Sequence, residues 1–185
     1  MFYTIQRIRR VDPAARNIFE VILLYPGLHA LGWYRVAHFL YRIRLILVAK
    51  VLMNLGKVLT GIEIHPAAKV GKGLFIDHGL GVVIGETTII GNDVTIFQGV
   101  TLGGRGNETT KKRHPTLCDG VMVAAGAKVL GPITIGREAK IGANAVVLTD
   151  VPPYATAVGI PARIILKEER KSLADDVCSL DEKSS

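Results

Sequence analysis

The sequence is short of several residue types, and each shortage excludes a class of protein. Only two of the 185 residues are cysteines, Cys118 and Cys178, and they do not form a CxxC pair. A disulfide framework or a thiolate metal site is therefore not expected, and a reducing cytoplasm is the simplest compartment. Aromatic residues make up only 6% of the chain. No base-stacking motif accompanies them, so nucleic acid is not an expected partner.

Long apolar runs are also missing. The longest stretch without a charged residue, 21–34, is too short to cross a bilayer and is interrupted by Pro26 and Gly27. The N-terminus has no apolar segment followed by a small-residue cleavage site. We therefore expect neither a membrane span nor a secretory signal.

Acidic residues are scarce in the first third of the chain. Before Gly61, nine Lys and Arg residues stand against two acidic ones, whereas fourteen of each follow it. The whole formal charge of +7 thus belongs to the N-terminal segment. A solvated helix face explains it most simply, and binding to an anionic surface is the alternative.

The pattern of residues 1–61 predicts a short helical region. Asp12-Pro13 is typical of an N-cap followed by proline at the first helical position. Tyr25-Pro26-Gly27 predicts a break, and a second helical run follows with apolar residues at helical spacing up to Ile43. Gly61 is a suitable terminator.

A six-residue period dominates the next hundred residues. Small or β-branched residues recur at every sixth position, a second set stands two positions later, and glycines often follow. The first set is Ile64, Val70, Ile76, Val82, Thr88, Val94 and Val100, then Val121, Ala127, Ile133, Ala139, Ala145 and Val151. An amphipathic helix would give a period near 3.6, so the pattern predicts a solenoid of short strands.

The six-residue period is interrupted once, between Leu102 and Val121. The intervening residues 103–118 are polar and rich in glycine at their start, and they predict a loop that protrudes from the solenoid and carries function. After Pro161 we expect the last coil to end. A charged helical segment is predicted over 164–176. The charged C-terminal tail covers 167–185, and its residues from Cys178 to Ser185 are expected to be disordered.

Several segments resemble the hexapeptide-repeat acyltransferases, and in particular the serine acetyltransferases. Their order and spacing are more specific than any one of them. They are Ile62-Glu63-Ile64-His65-Pro66-Ala67-Ala68, Phe75-Ile76-Asp77-His78-Gly79, Gly85-Glu86-Thr87, Gln98-Gly99-Val100-Thr101-Leu102-Gly103-Gly104, Lys112-Arg113-His114-Pro115 and Val158-Gly159-Ile160-Pro161-Ala162-Arg163.

The resemblance implies a mainly β protein, a left-handed parallel β-helix over residues 62–166 with the short helical region before it and the helical tail after it. It also implies a homotrimer that transfers acetyl from acetyl-CoA to the hydroxyl of L-serine, with no permanently bound cofactor or metal. Members that bind cysteine synthase typically end in isoleucine. This sequence ends in Ser185, so that partner is left open.

The resemblance also implies roles for individual residues. His78 would be the general base, since imidazole accepts a proton near neutral pH, and Glu63 would orient it from a neighbouring coil. Four residues would hold the serine ammonium and carboxylate: Asp12, Asp77, Arg113 and His114. Five would donate to the oxyanion or contact CoA: Gly103, Gly104, Ala125, Arg163 and Lys167.

Other readings stay open at this stage. Each of these residues could instead be an ordinary solvated corner residue, and His65 could line the site or cap a corner. His65, His78 and His114 could together hold zinc, as in hexapeptide-repeat carbonic anhydrases. An acetyltransferase for homoserine or a sugar and a non-catalytic binding protein are the remaining alternatives.

Overall fold

The computed structural model describes residues 1–106 and 110–166. The described part contains four helices followed by fifteen short strands. The helices are α1 (Phe2–Val11), α2 (Ile18–Leu24), α3 (Pro26–Arg42) and α4 (Ile46–Thr60). No helix among these residues is long and apolar enough to span a membrane.

The strands follow one another around three sheets, which we call A, B and C. Sheet A contains β1 (Glu63–Ile64), β4 (Val83–Ile84), β7 (Thr101–Gly103), β10 (Lys128–Leu130) and β13 (Val146–Val147). Sheet B contains β2 (Lys69–Val70), β5 (Ile89–Ile90), β8 (Thr116–Leu117) and β11 (Thr134–Ile135). Sheet C contains β3 (Phe75–Ile76), β6 (Thr95–Ile96), β9 (Met122–Val123), β12 (Lys140–Ile141), β14 (Thr156–Val158) and β15 (Arg163–Ile165).

The chain visits the sheets in the order A, B, C, and β1–β14 pair in parallel with strands of adjacent coils. This confirms the predicted parallel β-helix of hexapeptide repeats. Aliphatic side chains from all three sheets meet inside and form one continuous core. Its centre is fully shielded from solvent, as the 0% exposure of Ile96, Leu102 and Ile141 illustrates. We call the three corners the A–B, B–C and C–A edges.

The predicted register is wrong at two corners. One lies after Val147, where Ile135 pairs with Val151 and Ile141 with Ala157, only sixteen residues on. The other lies after Ile76. Ile64 pairs with Ile84 and Ile76 with Ile96, twenty residues on, whereas Ile84 pairs with Leu102 after the usual eighteen. The corner at residues 77–81 therefore holds two extra residues. The sequence reading missed this slip because both apolar positions of each repeat are buried, so the pattern continues across the insertion without a visible break.

The protruding loop is shorter than the predicted 103–118. Gly103 belongs to β7, and Thr116–Leu117 form β8, where Leu117 pairs with Ile90. Leu117 is completely buried and occupies the inward hexad position that the sequence reading missed. The excursion thus lies between Gly103 and Thr116, on the A–B edge.

Two predictions about the ends of elements are also corrected. Asp12 is the C-cap of α1 and not an N-cap; its carboxylate accepts from the Ala14 amide at 2.8 Å, as aspartates do in turns. Ile164 and Ile165, the first residues of the predicted C-terminal helix, belong to β15, which runs antiparallel to β14. From residue 167 onwards, the predicted helical segment and the tail 167–185 lie outside the described residues.

The helices cover the first coil of the solenoid. Pro26 begins α3 and Gly61 ends α4 with φ 71°, as the sequence predicts, but Ile43–Leu45 separate α3 from α4 where one helical run was expected. Gly27 of α3 packs directly against β3 of the first coil, and a Cβ at this position would lie only 2.3 Å from the Ile76 carbonyl oxygen. The Tyr34 hydroxyl donates to the Ala68 carbonyl oxygen and so satisfies a backbone acceptor of the first coil, which has no preceding coil to pair with.

A partly buried arginine, Arg7, attaches helix α1 to the solenoid. The Arg7 guanidinium donates to the Gly73 carbonyl at 2.7 Å, the Val94 carbonyl at 3.0 Å and Thr95 Oγ1 at 2.9 Å, and it pairs with Asp93. It spans two successive coils, so α1 depends on their stacking. Because α1 leads directly into Asp12, Arg7 also sets where that residue lies.

We predict that Arg7→Ala lowers the free energy of unfolding by about 2–3 kcal/mol, since several charge-assisted hydrogen bonds are lost together. Thermal denaturation and limited proteolysis within α1 measure this. Arg9→Ala, an exposed position on the same helix, is the matched control. Equal stability of the two variants would contradict the assigned role.

Candidate active site

The enlarged corner presents Asp77 and His78 on the C–A edge. His78 takes a left-handed conformation with φ 56°, and Gly79 and Gly81 do the same. Its side chain is 77% exposed, while that of Asp77 is 24% exposed, and Asp77 Oδ1 lies 4.0 Å from His78 Nε2. The two additional residues thus put an imidazole into solvent beside a carboxylate.

Asp12 and Tyr25 complete this group, which we call the C–A cluster. The Tyr25 hydroxyl donates to Asp12 Oδ2 at 2.6 Å, and its ring lies near Phe75, two residues before Asp77. Burial, the hydrogen bond to Asp12 and nearby negative charge that includes Asp77 raise the pKa of Tyr25 well above its usual range, so it remains a donor. Sequence reasoning missed Tyr25, whose one signal was its place at the break before Pro26.

Arg113 and His114 lie on a different edge, A–B. Arg113 donates to Glu86 Oε2 at 3.0 Å, and the His114 ring rests on the preceding coil at Gly85 and Thr87. Gly103 and Gly104, the predicted oxyanion donors, stand at the start of the loop on the same edge. We call this second group the A–B cluster.

The described ends of the loop are fixed to opposite sides of its own coil. Arg105 donates to the carbonyl oxygens of Leu130 and Leu148 in later coils. Lys112 donates to the Thr87 carbonyl at 2.8 Å in the earlier coil. Residues 107–109 lie outside the described part. Both described ends of the loop are therefore anchored along the A–B edge.

The predicted substrate residues are consequently divided between two edges. Sheet A separates them: Val82 to Glu86 is four residues of extended chain, about 13 Å. Within the described part of one chain, no hydrogen bond or ion pair joins the C–A cluster to the A–B cluster. One chain thus presents two incomplete halves of the predicted site.

Glu63 is placed away from its predicted partner. Its carboxylate pairs with Lys57 Nζ of α4 at 2.5 Å, and both side chains are about half exposed. The described part shows no hydrogen bond between Glu63 and His78. Glu63 is at the outward position of β1 on sheet A, because its neighbour Ile64 faces the core.

Two of the residues predicted to contact CoA, Ala125 and Arg163, lie along the C–A edge. Ala125 lies at a corner of the C–A edge, where its carbonyl accepts from Asn144 of the next coil. Arg163 begins β15 and is exposed beside the same edge, near the turn after β14. Both therefore lie further along the edge that carries His78. Lys167 is outside the described residues.

His65 stands on the A–B edge and caps its corner. Its Nδ1 accepts from the Ala67 amide at 3.1 Å, and the ring lies edge-on to Tyr41 at 6.0 Å. Burial lowers the pKa of His65. The three histidines of the zinc alternative do not converge within one chain, since His78 is on the other edge, and the described residues contain no group of three metal-ligating side chains.

The fold and the repeats define a class of protein. Residues 114–149 match the family model for the bacterial transferase hexapeptide with six repeats. A parallel β-helix with an imidazole on one edge and an anchored basic loop on another is thus a hexapeptide-repeat transferase.

Individual relatives narrow the class. The chain is 60% identical over 166 residues to a serine acetyltransferase of Helicobacter pylori, covering 90% of this chain and 96% of that protein. The soybean serine acetyltransferase complexed with serine superposes with a TM-score of 0.85 at 45% identity, covering 88% and 66% of the two chains. A serine acetyltransferase in complex with CoA gives 0.83 at 49% identity, covering 88% and 66%.

This chain belongs to the serine acetyltransferase family. The repeat match and these structural neighbours imply the left-handed form of the β-helix.

The capping geometry of His65 predicts a pH dependence of stability. In the folded protein its pKa lies below the ordinary value near 6.5. As the pH falls below about 6.5, the unfolded chain takes up the proton first, so the free energy of unfolding falls until the pH passes the lower, folded-state pKa.

We expect His65→Asn to flatten this dependence, because asparagine can still accept from the Ala67 amide but does not titrate. Denaturant unfolding of both proteins between pH 7.5 and pH 5 measures the difference in slope. Parallel pH profiles would show that His65 is not the titrating group.

Proposed function

We propose that the protein transfers the acetyl group of acetyl-CoA to the hydroxyl of L-serine, giving O-acetyl-L-serine and CoA, with His78 as the general base. Membership of the family and the related structures with serine and with CoA support this, and favour serine over homoserine or a sugar. The observation that carries the assignment of the base is the enlarged corner, which places an exposed imidazole beside Asp77.

The C–A cluster suits the ammonium end of serine. Asp12 and Asp77 supply carboxylates, and the partly buried Tyr25 holds Asp12 in place by a hydrogen bond. Neutral His78 would remove the hydroxyl proton as the oxygen attacks the thioester carbonyl. The thiolate of CoA would leave and take up that proton. Ala125 and Arg163 on the same edge would lie along the bound CoA.

The A–B cluster suits the carboxylate end of serine and the oxyanion. Arg113 offers paired donors to a carboxylate, and His114 stands next to it. A backbone amide at Gly103 or Gly104 would stabilise the negative charge on the tetrahedral intermediate. Because these groups lie on the other edge, they would serve the His78 of a neighbouring chain.

We therefore propose a homotrimer in which the C–A edge of each chain faces the A–B edge of the next. Such a heterologous, closed contact makes three equal sites, each completed by two chains. This accounts for the separation of the two clusters within one chain. It also accounts for a loop that is anchored to its own coils yet carries substrate-binding groups.

We predict that His78→Ala lowers the turnover number by about 10²–10⁴, the usual contribution of a general base. Glu63→Gln should cost much less, because the Glu63 carboxylate is paired with Lys57 and does not contact His78. Acetyl-CoA consumption with serine, on variants whose thermal stability matches the wild type, provides the test. If both variants lost the same factor in turnover number, Glu63 would orient His78 after all and the expectation would be wrong.

Shared sites predict complementation between two inactive chains. Co-expressed His78→Ala and Arg113→Ala chains, purified as mixed trimers, should recover about one third of wild-type activity, since every mixed trimer has one of its three sites with both halves intact. Differently tagged chains, purified in tandem and assayed together, measure this. The same chains expressed separately are the controls. Mixed oligomers without recovered activity would place each site within a single chain.

A further inference from the structure

The Gly85-Glu86-Thr87 segment has no role in the chemistry described so far, yet it lies directly against His114. We propose that Thr87 is a positioning residue that holds His114 as the tautomer with its proton on Nε2. The inference rests on the proposed function for its consequence in catalysis, but the geometry behind it is independent of any substrate.

The hydrogen bonds of Thr87 fix the tautomer. Its backbone N–H, which can only donate, points at His114 Nδ1 at 3.1 Å. Its hydroxyl oxygen accepts from the amides of Arg113 at 2.9 Å and His114 at 3.0 Å, so the hydroxyl proton is left for His114 Nδ1 at 2.8 Å. Nδ1 thus receives two donors and must carry the lone pair. The proton of the neutral ring therefore stands on Nε2.

Gly85 supplies the space for this arrangement. A Cβ at Gly85 would lie 2.1 Å from His114 Cδ2 and 2.4 Å from Nε2, so any side chain there would displace the ring. Glu86 holds the neighbouring Arg113 by an ion pair at 3.0 Å. All three residues of the segment therefore support the end of the loop, each by a different contact.

The consequence is a fixed donor beside a guanidinium. With the proton on Nε2, neutral His114 can donate to an anionic oxygen without first taking up a proton. In the proposed site that oxygen belongs to the serine carboxylate, which Arg113 also binds. Without the hydrogen bonds from Thr87, the ring could carry its proton on Nδ1, and Nε2 would then present a lone pair to an anion.

Thr87→Val keeps the shape of the side chain but removes its hydroxyl, whereas Thr87→Ser keeps the hydroxyl. We expect the serine KM of the valine variant to rise about tenfold, the size of a lost hydrogen bond to a charged group. The serine variant should stay within about twofold, and the acetyl-CoA KM should change little in both. Thr134→Val, on sheet B away from both clusters, is the control for removing a threonine hydroxyl.

The tautomer itself can be measured in the wild-type protein. Nitrogen-15 NMR of the histidine side chains, assigned with a His114→Gln variant, should show His114 with its proton on Nε2. The Thr87→Val variant keeps only the backbone donor to Nδ1, so it should show a larger share of the Nδ1 tautomer than the wild type. A wild-type His114 with its proton on Nδ1 would overturn the proposal, as would equal kinetic losses in the valine and serine variants. If the wild type failed to acetylate serine, the proposed function would fall, while the NMR result would still decide the role of Thr87.

Discussion

The stacking of parallel coils in register is the constraint on which the rest of this molecule depends. Strands of two or three residues cannot persist alone, so each is stable only because the coils on either side supply its hydrogen bonds and its inward neighbours. The first coil lacks one of those neighbours. Helices α3 and α4 take that place, and α1 is attached by Arg7 to two coils at once. The helical region is therefore a cover for the solenoid as much as a part of the site.

Much of this architecture follows from the sequence because a period of six leaves few alternatives. The hexads from Ile84 to Leu102 identify the solenoid, and Pro26 and Gly61 correctly mark the start of α3 and the end of α4. The errors arise where one residue type serves two purposes. Asp12 could cap either end of a helix, and the buried residue Leu117 follows so closely on a polar loop that it was read as part of it.

The candidate site shows a different limit of sequence reasoning. The resemblance selects Asp77, His78, Arg113 and His114, but the order of residues along the chain does not say which edge each one occupies. That depends on the two extra residues at the corner of His78 and on the anchoring of the loop. The sequence does not identify Tyr25 and Thr87 as site residues. Their roles depend on hydrogen bonds to Asp12 and His114, and contacts between separate segments leave no pattern in one sequence.

The pairing pattern also limits how the chain length can vary during evolution. Adding one residue inside a two-residue strand would turn the following side chains from the core to the solvent. At the A–B edge, by contrast, Gly103 and Thr116 are each held by their own coils, so the segment between them can lengthen or shorten without disturbing the core. Insertions and deletions among descendants of this gene should therefore accumulate in that segment and at the corners, while the two-residue strands themselves keep their length.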